Sequence, residues 1–257
     1  RYLLLSDDTP QKRPLLFLMD ASGRVTDEVQ IQGLKKVNDL EAIAPGQGNR
    51  LYLACSQNRS RKGKLKRSRR LLLRVKRQGK RFFLAGEVDL HTQLKTAAQR
   101  EALSPWAKFI ARAQDVDVEG LAFSEGALLL GYKAPLLDGR SVILRLEQLE
   151  ALFKKRQIAR GAVSIASQLR LQRRGADRPE RLSGLTHHGG RLLITSTAEG
   201  QGSLWRLTWA NTPELVRAFD GLRPEGLAPG AGAGQLIVVF DQGGKQASRF
   251  TLIKVVP

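Results

Sequence analysis

A short phrase that returns along the chain constrains its fold more than any other feature. Asp39-Leu40-Glu41-Ala42-Ile43-Ala44 recurs as Asp117-Val118-Glu119-Gly120-Leu121-Ala122. Weaker copies follow as Leu182-Ser183-Gly184-Leu185-Thr186 and Pro224-Glu225-Gly226-Leu227-Ala228. Each copy leads through a Gly-containing turn into an apolar run, such as Leu128-Leu129-Leu130 or Leu236-Ile237-Val238-Val239. A run of alternating polarity often comes next, as in Ser141–Leu146. Repeated units of several short strands point to radial or stacked repetition. The spacing between copies falls from 78 to 64 to 42 residues. Stacked coils keep near-constant unit length, whereas a propeller lets insertions loop out of a blade whose strands stay in place. The expectation is an all-β chain forming one β-propeller over residues 1–257. Five blades are expected, with six as the alternative. The first unit lacks an inner strand and the last lacks a clear outer one.

Two stretches break the strand pattern. Leu94, Ala97, Ala98 and Leu103, then Phe109 and Ile110 after Ser104-Pro105, recur at helical spacing. They predict a helical insertion near 90–114, and a second short helix is expected near 147–156. Apolar residues make up 42% of the chain, which excludes global disorder. No apolar run reaches the length of a membrane span. One cysteine, Cys55, excludes an intrachain disulfide and a multi-cysteine metal knot. It reads as an inert buried thiol. The opening Tyr2-Leu3-Leu4-Leu5 does not report on export, so periplasmic, secreted and cytoplasmic locations stay open.

Charge is the second strong signal. Lys and Arg number 43 against 24 Asp and Glu, a net +19. Such an excess draws in phosphates, nucleic acid or anionic lipid. An Arg-rich composition is equally the product of a GC-rich genome.

Three constellations could carry chemistry. Propeller geometry brings residues that open inner strands to the channel mouth, so Glu41, Glu119 and Glu225 should converge. Asp39 and Asp117 stand two positions earlier, on the same face if the strand extends that far. Converging carboxylates repel one another and suit a hard cation such as Ca²⁺. The competing reading is that each Glu accepts backbone hydrogen bonds from a neighbouring blade and ties the ring together. On that reading Glu119→Ala destabilises the ring without any ligand. The second constellation is the basic run from Arg59 to Arg70, where guanidinium and ammonium groups suit phosphate or carboxylate. A solvated charged hairpin is its bland counterpart. The third is the loop holding Lys133, Asp138 and Arg140, which could add cations to one pocket above the channel or be a plain hairpin. Aromatic residues are 6% of the chain and none interleaves with the basic run, which disfavours nucleic acid. His187-His188 has no third ligand at metal spacing, and no Gly-x-Ser-x-Gly elbow is present.

Several of these motifs together resemble a bacterial propeller family of unknown function, related to the esterase-like phytase domains. The resemblance lies in Asp-x-Glu-Gly-Leu-Ala, in Leu128–Arg140, and in Cys55-Ser56-Gln57-Asn58-Arg59-Ser60-Arg61-Lys62-Gly63-Lys64. In that last motif Gln57 replaces the family's His. Ser6-Asp7-Asp8 resembles the opening acidic motif, and Pro224–Ala228 with Phe240-Asp241 the closing one. The resemblance implies a propeller and lends weight to Ser56, Arg59, Lys62 and Lys64 as functional positions.

Two functions are therefore expected, ahead of a third, electrostatic association with nucleic acid or an anionic membrane. The first is a module that binds an anionic ligand, or scaffolds, through Ser56, Arg59, Lys62, Lys64, Lys133 and Arg140. The second is a Ca²⁺-dependent phosphoric or carboxylic ester hydrolase with metal ligands among Asp7, Asp8, Glu41, Glu119 and Glu225. The partner is a small anionic ligand or phosphate ester, and a monomer is favoured.

Overall fold

The computed structural model describes residues 1–7, 9–60, 62–241, 243 and 248–255. Its strands in chain order begin with β1 (Tyr2–Leu4), β2 (Leu15–Met19), β3 (Val25–Gln32), β4 (Leu40–Pro45), β5 (Arg50–Cys55), β6 (Leu71–Gln78) and β7 (Arg81–Asp89). Helices α1 (Leu90–Arg100) and α2 (Pro105–Arg112) precede β8 (Asp117–Ser124), β9 (Ala127–Leu137) and β10 (Arg140–Leu146). Helix α3 (Leu149–Lys155) leads to β11 (Val163–Leu169). The last strands are β12 (Arg181–His188), β13 (Arg191–Ala198), β14 (Gln201–Leu207), β15 (Pro213–Asp220), β16 (Arg223–Pro229), β17 (Gln235–Asp241) and β18 (Arg249–Lys254).

The strands form antiparallel meanders: β4–β7, β8–β11 and β12–β15 with four strands, β1–β3 and β16–β18 with three. Strands β4, β8, β12 and β16 pack side by side in that order, one from each sheet. Sheets placed edge-in around a common line of first strands make a β-propeller. One departure from separate units occurs. A short parallel pairing, Ile31 with Phe82 and Gln32 with Phe83, joins β3 to β7 and merges the first two meanders into one seven-stranded sheet. Both Ile31 and Phe82 are buried there, so the pairing closes an apolar seam.

The repeated phrase has a packing reason. A Cβ on Gly120 would lie 2.8 Å from the Cβ of Leu185, and one on Gly184 would lie 3.0 Å from Leu227 Cδ2. The glycine of one inner strand thus seats the leucine of the next, and the strands approach closely only because no side chain intervenes.

The helices sit where the periodicity places them. The Asp89 carboxylate accepts from Thr92 N at 3.1 Å and caps α1, and the Ser104 hydroxyl accepts from Ala107 N at 3.3 Å and caps α2. Lys95 Nζ donates to the carbonyls of Ile110 and Ala113 at 2.7 and 2.8 Å, closing the far end of α2. Trp106, Phe109 and Ile110 are buried, and the Phe109 ring meets Tyr132 edge-on at 5.2 Å. Helix α2 packs on β11 and α1 on β6 and β7, so the helix pair lies against the β4–β7 and β8–β11 meanders. Cys55 is fully buried and its thiol is pushed up to about 12 by that burial, so it stays protonated. No helix is long and apolar enough to cross a membrane among the described residues.

Gly120→Ala should lower stability by ~1–3 kcal/mol, because its methyl meets a fixed backbone-proximal carbon in the neighbouring sheet. Urea denaturation measures this. An unchanged midpoint would mean that β8 and β12 do not touch as described.

Candidate functional site: carboxylates gathered on the propeller axis

In all four inner hairpins the ladder slips by one residue at the same point. Leu40 pairs with Cys55 and Ala42 with Ala54, leaving Glu41 without an opposite residue. Val118 pairs with Tyr132 and Gly120 with Gly131, leaving Glu119. The same slip leaves Ser183 in β12 and Glu225 in β16. A bulge re-aims the extra side chain and bends the strand. Each inner strand thereby turns one polar residue out of its ladder near its start.

These residues are electrostatic neighbours. Glu41 is pushed up to about 9 by burial and by Glu119, Asp39, Asp7 and Asp117, in that order. Glu119 is pushed up to about 8 by burial, with Asp117 and Glu225 adding to the shift against the Lys133 ammonium. Asp117 and Glu225 are raised mainly by burial as well. Lys133 is the extra residue on β9, where a second slip separates Asp117–Ala134 from Val118–Tyr132. Its Nζ lies 3.0 Å from Glu119 Oε1. Burial alone would lower Lys133, but Glu119, Glu225 and Asp117 together hold it above the ordinary lysine range.

Asp39 departs from the expected placement. It lies before β4 with φ of 59° and so is not on the strand face shared with Glu41. Its carboxylate accepts from the Ser56 hydroxyl and pairs with the Arg69 guanidinium. The Asp117 Oδ1 atom is buried, with no hydrogen-bond partner among the described residues. Asp7 reaches the same end: its carbonyl accepts from Asp39 N at 3.2 Å, and its charge acts on Glu41 and Glu225. Asp8 lies outside the described residues.

Among the described residues no three His, Cys, Asp or Glu side chains stand together to hold a metal ion. The Lys133 ammonium lies beside Glu119, and burial together with the neighbouring carboxylates pushes Glu41 and Glu119 above the ordinary glutamate range. The expected backbone donors to the glutamates are replaced, at Glu119, by a lysine of its own hairpin.

The basic run lies at the same end of the ring, between β5 and β6. Most of its guanidiniums are engaged internally. Arg59 pairs with Asp115 at 2.8 Å, Arg67 with Glu87 at 2.7 Å, Arg70 with Asp89 at 2.7 Å, and Arg69 with Asp39. Ser56 is buried, and Gln57 is buried too, its amide donating to Cys55 O at 2.7 Å. Lys62, Lys64 and Arg140 remain exposed, with no ion pair among the described residues.

A further polar network is absent from the sequence reading. Glu180, buried before β12, accepts from Arg173 Nε and the Ser203 hydroxyl at 2.8 Å, and from the Ser196 hydroxyl at 2.6 Å. Trp205 Nε1 donates to Ser196 Oγ at 2.6 Å. Arg173 also pairs with Asp220 at 2.7 Å, so this network ties the loop 170–180 to its sheet.

Fold and site together define a β-propeller whose inner strands enclose an acidic, lysine-balanced axis. The chain belongs to a family of proteins of unknown function, DUF3616, whose model matches residues 32–160. No curated protein matches it. Among solved structures it is similar to the hydrazine synthase of Kuenenia stuttgartiensis, at 12% identity and a TM-score of 0.40, over 87% of this chain and 49% of that one. It is also similar to the WD40 β-propeller domain of Doa1, at 12% identity and 0.36, over 98% and 64%. A third is the major allergen Mala s 1 of Malassezia sympodialis, at 11% identity and 0.43, over 95% and 73%. The chain thus spans about half the length of the first and under two thirds of the second.

Raised carboxyl pKa values fix a pH dependence. Between the ordinary glutamate value of 4.5 and about 9 the folded chain holds more protons at Glu41 than the unfolded chain does. Stability therefore falls as pH rises through that window. Glu41→Gln should flatten the fall and stabilise the protein by ~1–2 kcal/mol near pH 9. Thermal melts from pH 5 to pH 9 check this, and parallel curves for the two proteins would contradict it. Glu119→Ala should instead destabilise by ~2–3 kcal/mol, since it leaves the Lys133 ammonium partly buried without its partner.

Proposed function

We propose that this protein is a binding module that holds an anionic ligand at the end of the ring where the inner strands begin. One observation carries the reading. Lys62 and Lys64 of the basic run and Arg140 of the next loop are exposed and unengaged among the described residues, as is Lys66, whereas neighbouring guanidiniums already have carboxylate partners. Lysine ammoniums on a loop adapt to phosphate or carboxylate oxygens. Arg59 can join them, because its ion pair with Asp115 is half exposed and such pairs are weak. Lys133 and Ser56 are support residues in this reading: one balances the axial carboxylates and the other orients Asp39.

The resemblance to esterase-like phytase domains supports a second reading, a Ca²⁺-dependent ester hydrolase. The arrangement of Glu41, Glu119 and Lys133 favours it less, since a bound cation would have to displace the ammonium from Glu119.

Calorimetric titration with inorganic pyrophosphate separates the two. Binding is expected without calcium, and Lys62→Gln with Lys64→Gln should weaken it about tenfold. Calcium-dependent hydrolysis of p-nitrophenyl phosphate, abolished by Glu41→Gln, would replace the binding reading with the hydrolase.

A further inference from the structure

The exposed cations at this end extend well beyond the hairpin. Because strands alternate in direction, the starts of β4, β8, β12 and β16 share one end of the ring with the loops 5–14, 33–39, 56–70, 138–139 and 170–180. The mutual effects of Glu41, Glu119, Glu225 and Asp7, and the effect of Arg181 on Asp117, place these starts together. Lys12 and Arg13 lie on the first loop, Lys35 and Lys36 on the second, and Lys62, Lys64 and Lys66 on the third. Arg140 follows the fourth, and Arg174 and Arg178 lie on the fifth. All ten are exposed, and none makes an ion pair among the described residues. At the opposite end the inner turns 46–49, 125–126, 189–190 and 230–234 contain no Lys or Arg, and the exposed cations Lys80, Lys154, Lys155, Arg156 and Arg160 lie on the outer connections 79–80 and 147–162.

We infer that this cationic crown docks the protein, ring end down, on an anionic lipid surface. The inference goes beyond the ligand reading. It shares Lys62 and Lys64 with that reading but rests equally on the cations of the other loops. Shape favours a plane. Cations on several sides of a ring meet a flat surface all at once, whereas a nucleic acid rod crossing the ring meets only two sides. Glu119 is buried and Glu41, Asp117 and Glu225 are half-buried, while Asp7, Asp138 and Asp177 are exposed on the same loops and are outnumbered by the ten cations. Among the described residues none of the exposed large apolar side chains, Val25, Leu103, Trp209, Leu215 and Leu252, lies on the crown loops. Attachment is therefore electrostatic, without an inserted anchor, and reversible by salt.

Co-sedimentation with vesicles of phosphatidylcholine containing about one third phosphatidylglycerol tests it. Binding is expected at about 50 mM salt and lost by about 500 mM, with none to pure phosphatidylcholine. Substituting Lys35, Lys36, Arg174 and Arg178 by Gln should weaken partitioning about tenfold or more while leaving pyrophosphate binding intact. The same charge removed at the other end, by substituting Lys154, Lys155, Arg156 and Arg160, should change partitioning by less than about threefold. Equal losses from the two quadruple variants would overturn the inference, since net charge alone would then explain adsorption. So would failure to bind the vesicles, or preferential retention of duplex DNA over them. Loss of pyrophosphate binding in Lys62→Gln with Lys64→Gln, with vesicle binding largely kept, would separate the small-ligand site from the docking face.

Discussion

A one-residue slip near the start of each inner strand is the constraint on which the axial site depends. Without it, residues alternate strictly between the two faces of a strand, and the glutamates would stay within their own sheets. With it, Glu41, Glu119, Ser183 and Glu225 leave the ladder. Glycine follows in three of the four copies, and at Gly120 and Gly184 it lets the next sheet close in. The slip and the close approach are two consequences of one short phrase.

The resulting electrostatics are layered. A strongly basic chain encloses a core of carboxylates, relieved by Lys133 within and by Arg69 at its margin. Burial raises the cost of ionisation, so protons do part of the neutralising that ion pairs leave undone. Outside this layer, guanidiniums brace loops against Asp115, Glu87 and Asp89, and the unengaged lysines face solvent. Structural and binding roles thus divide by depth, which is why only part of the basic run is available to a ligand.

Much of the fold was legible. The repeated phrase located the inner strands, and the spacing of Leu94, Ala97, Ala98, Phe109 and Ile110 located α1 and α2. The convergence of Glu41, Glu119 and Glu225 followed from propeller geometry. What was not legible depends on contacts between distant segments. The pairing of Lys133 with Glu119 requires two slips in one hairpin, and periodicity does not report such register shifts. The carboxylate partners of Arg59, Arg67 and Arg70 come from outside the basic run. The network of Glu180 and Arg173 joins a loop to β14 and β15, and no local pattern marks it. The parallel seam of β3 with β7 likewise links strands separated by two hairpins.

The most direct measurement is the titration of the Glu41 side chain, followed by carbon-detected NMR of its carboxyl group. A crowded, largely buried axis predicts a midpoint near 9. A midpoint at the ordinary glutamate value of 4.5 would mean that the bulged residues do not meet.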